Sequence, residues 1–193
     1  MNNRDVSLSL IPTDSEKRRL LSLSREVLRC RLSDQPLPDP RATGLREELK
    51  EQQVGLFVTL RKRGDLRGCI GTIETDQPLV RTVFKVTQEA ALQDYRFPPV
   101  TLPELPEITI EHSLLSRPQP VQSYREIRLG TDGIILKAHG RSAVFLPEVP
   151  TQQGWTIEQT LTALSRKAGV GPSAWNEPTA SFTVFQTIHY CEE

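Results

Sequence analysis

The chain has 193 residues, which is enough for one domain with a well-buried core. Hydrophobic residues make up 37% of the sequence and charged residues 25%, a balance typical of a folded globular protein rather than a disordered one. Lysine plus arginine number 24, as do aspartate plus glutamate, so the usual electrostatic case for binding nucleic acid or an anionic membrane is missing. No apolar run in the sequence approaches the length of a membrane span.

Cysteine and histidine are few and widely spaced. The three cysteines are Cys30, Cys69 and Cys191, and the three histidines are His112, His139 and His189. The cysteines form neither a disulfide framework nor a Cys-x-x-Cys site, which favours a reduced, cytoplasmic setting. Because the histidines lack the spacing of metal ligands, we predict no metal site, and nothing in the sequence indicates a cofactor.

Three amphipathic helices are predicted, over residues 13–31, 76–93 and 155–169. The first opens with a capping box at Thr13 and Glu16, and apolar residues such as Leu20 and Val27 recur along it at helical spacing. The stretch before it, residues 1–12, is too short and too polar for a signal peptide, and we expect it to be a flexible start.

A β-hairpin is the firmest local prediction from the sequence. Apolar residues alternate with others from Val54 to Leu60, which is typical of a half-buried strand, and Gly64-Asp65 provides a tight turn. We therefore expect residues 54–62 to pair antiparallel with residues 66–74.

The remaining strands are predicted at 108–114, 134–138, 142–146 and 182–190, the last as one closing strand. His112 falls in the apolar phase of its strand, so we expect a hydrogen-bonded core histidine unless folding brings it to Cys69. Helices and hairpins alternate irregularly, which predicts the α+β class with a mixed, largely antiparallel sheet and flanking helices.

The return strand of the hairpin carries the segment that stands out chemically, Leu66–Thr72, called here the glycine-cysteine segment. In a regular strand Arg67, Cys69 and Gly71 would share one face, while Leu66 and Ile70 would point into the core. A cation beside a thiol favours the nucleophilic thiolate. The plainer interpretation is a bulge at the glycines and a small buried cysteine.

A rigid corner follows the second helix, at Asp94 to Pro99. The residue before a proline is driven out of helical space, so the helix must end here. We expect Asp94 and Arg96 to form a structural ion pair, and the corner to pack close to the glycine-cysteine segment. Phe97 would then form a wall at the edge of a pocket.

Several separated blocks of the sequence together resemble one family. They are 55–60, 66–72, 90–101, 145–149 and 167–169, the last followed by Trp175. The sequence resembles the AMMECR domain family, the AMME chromosomal region candidate proteins, whose prokaryotic members are called AmmeMemoRadiSam system protein A. The resemblance extends from about Asp14 to Glu192. The chain departs from the family pattern at His112, where a small or β-branched residue is more usual, and at Glu148, where glutamine is usual.

The resemblance implies a single domain over residues 1–193, with a larger and a smaller lobe and a cleft near the glycine-cysteine segment. It also implies two possible partners, a Memo-like protein, itself similar to metal-dependent dioxygenases, and a radical-SAM protein. It supplies no established reaction, because the biochemical function of the family is unknown.

Three functions remain open from the sequence alone. In the first, an enzyme or enzyme subunit uses Cys69 as a nucleophile or anchor for a small molecule, with Arg67 as its cation. Candidate binding residues surround that pair: Gly68, Ile70, Gly71, Thr72, Asp94, Arg96 and Phe97. In the second, the chain is a non-catalytic binding or scaffold module for the Memo-like and radical-SAM partners. In the third, the segment is purely structural.

Overall fold

The structure, a computed structural model, describes residues 11–193, so most of the predicted flexible start lies outside the described residues. Five α-helices lie along this part of the chain: α1 (Asp14–Leu32), α2 (Glu47–Lys50), α3 (Leu79–Leu92), α4 (Glu148–Gln153) and α5 (Ile157–Lys167). It also holds eight strands: β1 (Leu56–Lys62), β2 (Asp65–Thr72), β3 (Ile108–Leu115), β4 (Gln119–Val121), β5 (Gly133–Ala138), β6 (Arg141–Phe145), β7 (Ser181–Phe185) and β8 (Thr187–Cys191).

The strands form two four-stranded antiparallel sheets, so the predicted α+β class is confirmed. The strand order is β2-β1-β3-β8 in one sheet and β4-β7-β5-β6 in the other. The described chain divides into two compact units, a larger one of residues 11–115 with Ile188–Glu193 and a smaller one of Ser116–Thr187. Within residues 11–193, every helix is too short or too polar to cross a bilayer.

In the larger unit, α1 and α3 pack on one face of the β2-β1-β3-β8 sheet. The alternation in β1 explains this packing, because Leu56, Val58 and Leu60 all point to the helices and are fully buried. The predicted capping box at the start of α1 is confirmed, with the Thr13 side chain accepting from the Glu16 amide. The opposite face of the sheet therefore carries the side chains of Thr59 and Cys69.

In the smaller unit, α5 packs against the β4-β7-β5-β6 sheet. Its buried residues Leu161 and Leu164 join Ile134 and Leu136 of β5 in a separate core. A capping box at Thr156 and Gln159 opens the helix.

The prediction of one closing strand over residues 182–190 was wrong. The segment breaks at Gln186, and its halves β7 and β8 belong to different sheets. The break is explained by Ser116, since the Gln186 amide donates to the Ser116 hydroxyl and the Gln186 carbonyl accepts from the Ser116 amide. These two hydrogen bonds satisfy the backbone of Gln186 and replace the regular strand pairing at this residue.

Candidate functional site

The predicted hairpin is confirmed, with slightly shorter strands. Strand β1 pairs antiparallel with β2 throughout, but the register shifts in the middle. Leu60 lies opposite Gly68, whereas the next residue, Arg61, lies opposite Leu66. Arg67 is therefore an extra residue on β2, a β-bulge in the middle of the glycine-cysteine segment.

The bulge overturns part of the predicted side-chain alternation. Leu66 was expected to point into the core, and this was wrong, because its side chain is 39% exposed. One extra residue reverses the phase of the strand, so positions before the bulge face the opposite way from those after it. Ile70, which follows the bulge, packs against the core as expected.

Arg67 is bonded to protein groups on the outer side of β2. Its guanidinium donates to both carboxylate oxygens of Glu104, at 3.0 and 3.2 Å, and to the Pro98 carbonyl oxygen at 2.8 Å. The hydrogen bonds from Arg67 are also the main reason that the pKa of Glu104 lies well below its usual range. The charge of Arg67 is therefore balanced by Glu104 rather than directed at a thiol.

The two glycines of the segment permit close packing within the protein. A Cβ atom at Gly68 would clash with the carbonyl oxygen of Ala90, in α3. A Cβ atom at Gly71 would clash with the ring of Phe57 in β1. The absence of a side chain at each position is thus explained by neighbouring protein atoms, without a ligand.

Asp94 and Arg96 clamp the backbone of Cys69. The Cys69 amide donates to Asp94 Oδ2 at 2.9 Å, and the Cys69 carbonyl oxygen accepts from the Arg96 guanidinium at 3.1 Å. The two side chains also pair directly, with Arg96 nitrogen atoms 2.6 and 2.8 Å from the Asp94 carboxylate. Both the predicted ion pair and the predicted packing of the corner against the segment are confirmed.

The clamp is electrostatically strong because Asp94 is almost fully buried. Hydrogen bonds from Arg96 chiefly, and from the Cys69 amide as well, hold the pKa of Asp94 well below its usual range despite burial. The charge of Asp94 in turn raises the pKa of Arg96. Because β2 is the outer strand of its sheet, the clamp also covers backbone groups that would otherwise be open to another strand.

The side chain of Cys69 lies on the sheet face opposite the helices, and the residue is half-buried. The hydroxyl of Thr59, directly across on β1, donates to the Cys69 sulfur at 3.2 Å. Sequence reasoning missed Thr59, although the predicted pairing of residues 54–62 with 66–74 already places it opposite Cys69. The other two cysteines differ, since Cys30 is buried and Cys191 is exposed.

His112 lies in the core, away from Cys69. Its ring nitrogens are hydrogen-bonded to the Ser24 hydroxyl at 2.9 Å and the Tyr190 hydroxyl at 3.2 Å, which confirms the predicted core histidine. Burial lowers the pKa of His112 to about 3. Across residues 11–193, the hydrogen bond from Thr59 is the one that reaches the Cys69 sulfur, so no side-chain base is bonded to it.

Thr72 and Phe97 complete the set of predicted binding residues. Thr72 donates its hydroxyl to the Glu74 carbonyl oxygen and lines an open groove of about 840 Å³ between the end of β2 and the flank of α3. Phe97 is half-buried, with the Arg96 guanidinium carbon 5.5 Å from its ring centroid. Among the described side chains, no cluster of histidine, cysteine and carboxylate residues is arranged to hold a metal ion.

Comparisons with known proteins match most of the chain. The AMMECR1 family model matches residues 21–190. A protein of Methanothermobacter thermautotrophicus is 38% identical over 148 residues, which cover 74% of this chain and 77% of the relative. Protein MK0488 of Methanopyrus kandleri is 39% identical over 148 residues, 72% of each chain. The solved structure of the uncharacterized protein PH0010 from Pyrococcus horikoshii superposes with a TM-score of 0.79, at 32% identity and 90% coverage of both chains.

Proposed function

Because the chain belongs to the AMMECR1 family, we propose that it acts as an enzyme subunit that presents the Cys69 thiol to a small molecule. The ligand itself or a partner protein supplies any base that the reaction needs. The partners proposed for this role are the Memo-like protein and the radical-SAM protein, in the reduced, cytoplasmic setting that unpaired cysteines favour.

One observation carries this proposal: Cys69 is held at three points although the residue is only half-buried. Asp94 holds its amide, Arg96 holds its carbonyl and Thr59 holds its sulfur. When a reactive atom is already fixed in place, less conformational entropy is lost on binding and on reaction. A purely structural cysteine needs packing, but it does not need a hydroxyl directed at its sulfur.

The same geometry limits the chemistry that the chain performs alone. A cysteine nucleophile is ordinarily activated by an adjacent base or a free cation. Here Arg67 is neutralised by Glu104, Arg96 by Asp94, and His112 is bonded within the core. The proposal therefore assigns to Cys69 the capture or anchoring of a ligand, with proton transfer completed by another group.

Cys69 should react with iodoacetamide faster than Cys191 at mildly acidic pH. Cys191 is exposed, and none of the described residues is hydrogen-bonded to its sulfur, so it serves as an internal reference. The rate at each cysteine is read from peptide mass spectrometry of a time course. Equal or slower labelling of Cys69 contradicts the proposal.

The variant Cys69→Ser separates the remaining interpretations. A ligand anchor tolerates the near-isosteric change with little loss of stability, whereas a sealed structural thiol loses about 1 to 3 kcal/mol when an unpartnered hydroxyl replaces it. Cys191→Ser, at an exposed position, is the matched control.

A second candidate function is a docking module for the same partners, and Tyr95 favours it. Its side chain is 94% exposed, although Asp94 and Arg96 on either side are fixed in the clamp. A large aromatic side chain on a rigid backbone is the usual anchor of a protein interface, because little entropy is lost when it binds.

Replacing Tyr95 with alanine tests the docking function. If the corner docks on a Memo-like or radical-SAM partner, Tyr95→Ala should weaken binding about 30-fold, the effect of losing an interface anchor. Leu37, exposed in another loop, gives the control variant Leu37→Ala. Binding of the purified partner is measured by isothermal titration calorimetry, and equal affinities of the two variants contradict the docking function.

A further inference from the structure

We propose that Thr59 is the positioning residue for the Cys69 sulfur. This inference rests on the proposed function. It adds a residue on the neighbouring strand that sets the orientation of the Cys69 thiol. Without the Thr59 hydroxyl, the thiol loses both its fixed orientation and the hydrogen bond to its sulfur.

The pairing of the two strands brings the side chains together. Thr59 lies directly opposite Cys69 in the antiparallel register. The backbone amide and carbonyl of Cys69 point outward to Asp94 and Arg96, so the two residues form a pair without ladder hydrogen bonds between them. Side chains in such pairs are closer together than in hydrogen-bonded pairs.

The hydroxyl is set toward the sulfur by local structure. Threonine is β-branched and therefore stiff about its first side-chain bond. Within residues 11–193, Thr59 Oγ1 has one hydrogen-bond partner, the Cys69 sulfur, at 3.2 Å. No other acceptor among the described residues binds this hydroxyl, so its hydrogen bond is available whenever negative charge develops on the sulfur.

The effect of the Thr59 hydrogen bond is clearest in a simple alkylation of the Cys69 sulfur. When Cys69 reacts with iodoacetamide, the thiol proton passes to solvent and the sulfur forms a bond to the methylene carbon. The carbon–iodine bond breaks at the same time, and iodide leaves. A donor already in contact with the sulfur stabilises its charge before the attack and keeps the sulfur on the sheet face opposite the helices.

The test compares the rate constant for labelling of Cys69 in three variants. Thr59→Val keeps the shape and removes the hydroxyl, Thr59→Ser keeps the hydroxyl, and Thr109→Val on the same sheet is the matched control. Iodoacetamide labelling of Cys69 is followed by mass spectrometry from pH 5 to 9. The urea unfolding midpoint of each variant shows that the fold is intact.

We expect Thr59→Val to label about tenfold more slowly at Cys69 below pH 8, which corresponds to the loss of one hydrogen bond. Its rate–pH profile should also move to higher pH, a change that a merely structural role would not produce. Thr59→Ser should recover most of the rate and Thr109→Val should match the wild type. If Cys69 reacts faster than Cys191 in every variant and Thr59→Val matches wild type, this inference is overturned while the proposed function stands. If wild-type Cys69 labels no faster than Cys191, both are overturned.

Discussion

Replacing Asp94 with alanine should lower the free energy of unfolding by about 3 kcal/mol, because one partner of a buried ion pair is removed. The change leaves the Cys69 amide without its acceptor and the Arg96 guanidinium without its counter-ion. Arg96 is 44% exposed and regains some water, which keeps the loss below that of a fully buried pair. Urea unfolding at neutral pH measures the effect.

The matched control is Glu107→Ala, which also removes a carboxylate from a pair with arginine. Its partner Arg63 is largely exposed, and such a pair contributes less than about 1 kcal/mol. A loss at Asp94 no larger than the loss at Glu107 would show that the clamp does not hold the segment.

Stability should fall as the pH drops below 6.5, and His112 should account for most of the loss down to pH 5. The folded chain keeps His112 neutral until its pKa of about 3, whereas the unfolded chain takes up a proton near pH 6.5. Stability is therefore fully present above pH 6.5 and is lost on acidification. The expected loss is about 2 kcal/mol between pH 7.5 and 5, rising to about 4 kcal/mol near pH 3.

The variant His112→Gln should remove this dependence between pH 7.5 and 5. Glutamine retains groups for hydrogen bonds to Ser24 and Tyr190 but does not titrate. The comparison ends at pH 5 because the pKa values of Asp94 and Glu104 are also lowered by folding. Below pH 5 these two carboxylates stop contributing to the free energy of unfolding. Equal slopes in the wild type and His112→Gln would contradict the assignment.

The hairpin, the main helices and the core histidine could be predicted because their signals are local. Alternating apolar residues fix which face of β1 is buried, and capping boxes fix where α1 and α5 begin. The contact between the corner and β2 was also predictable, since α3 follows that strand directly.

The roles of the individual residues in the segment were less predictable, because they depend on distant partners. The glycines of the segment indicated a bulge, but nothing near Arg67 indicates its pairing with Glu104, 37 residues away. Gly68 is explained by the carbonyl of Ala90, which only the packing of α3 brings close. The break at Gln186 likewise depends on Ser116, 70 residues earlier.

The structure narrows the site to fewer groups than the sequence suggested. Arg67, Gly68 and Gly71 have structural partners of their own, in Glu104, Ala90 and Phe57. The proposed function leaves the Cys69 thiol as the group for chemistry, and its central claim is that the fold presents this thiol rather than seals it.

The most direct measurement of that claim is the labelling rate of Cys69 in the folded chain relative to the same chain unfolded in urea. A presented thiol should label at least as fast as in the unfolded chain, since the reagent reaches it without unfolding and the Thr59 hydroxyl is bonded to its sulfur. A thiol sealed in the structure should label at least about a thousandfold more slowly, because each reaction must wait for the region to open. The first result is the one expected here, and the second would contradict a ligand-binding role for Cys69.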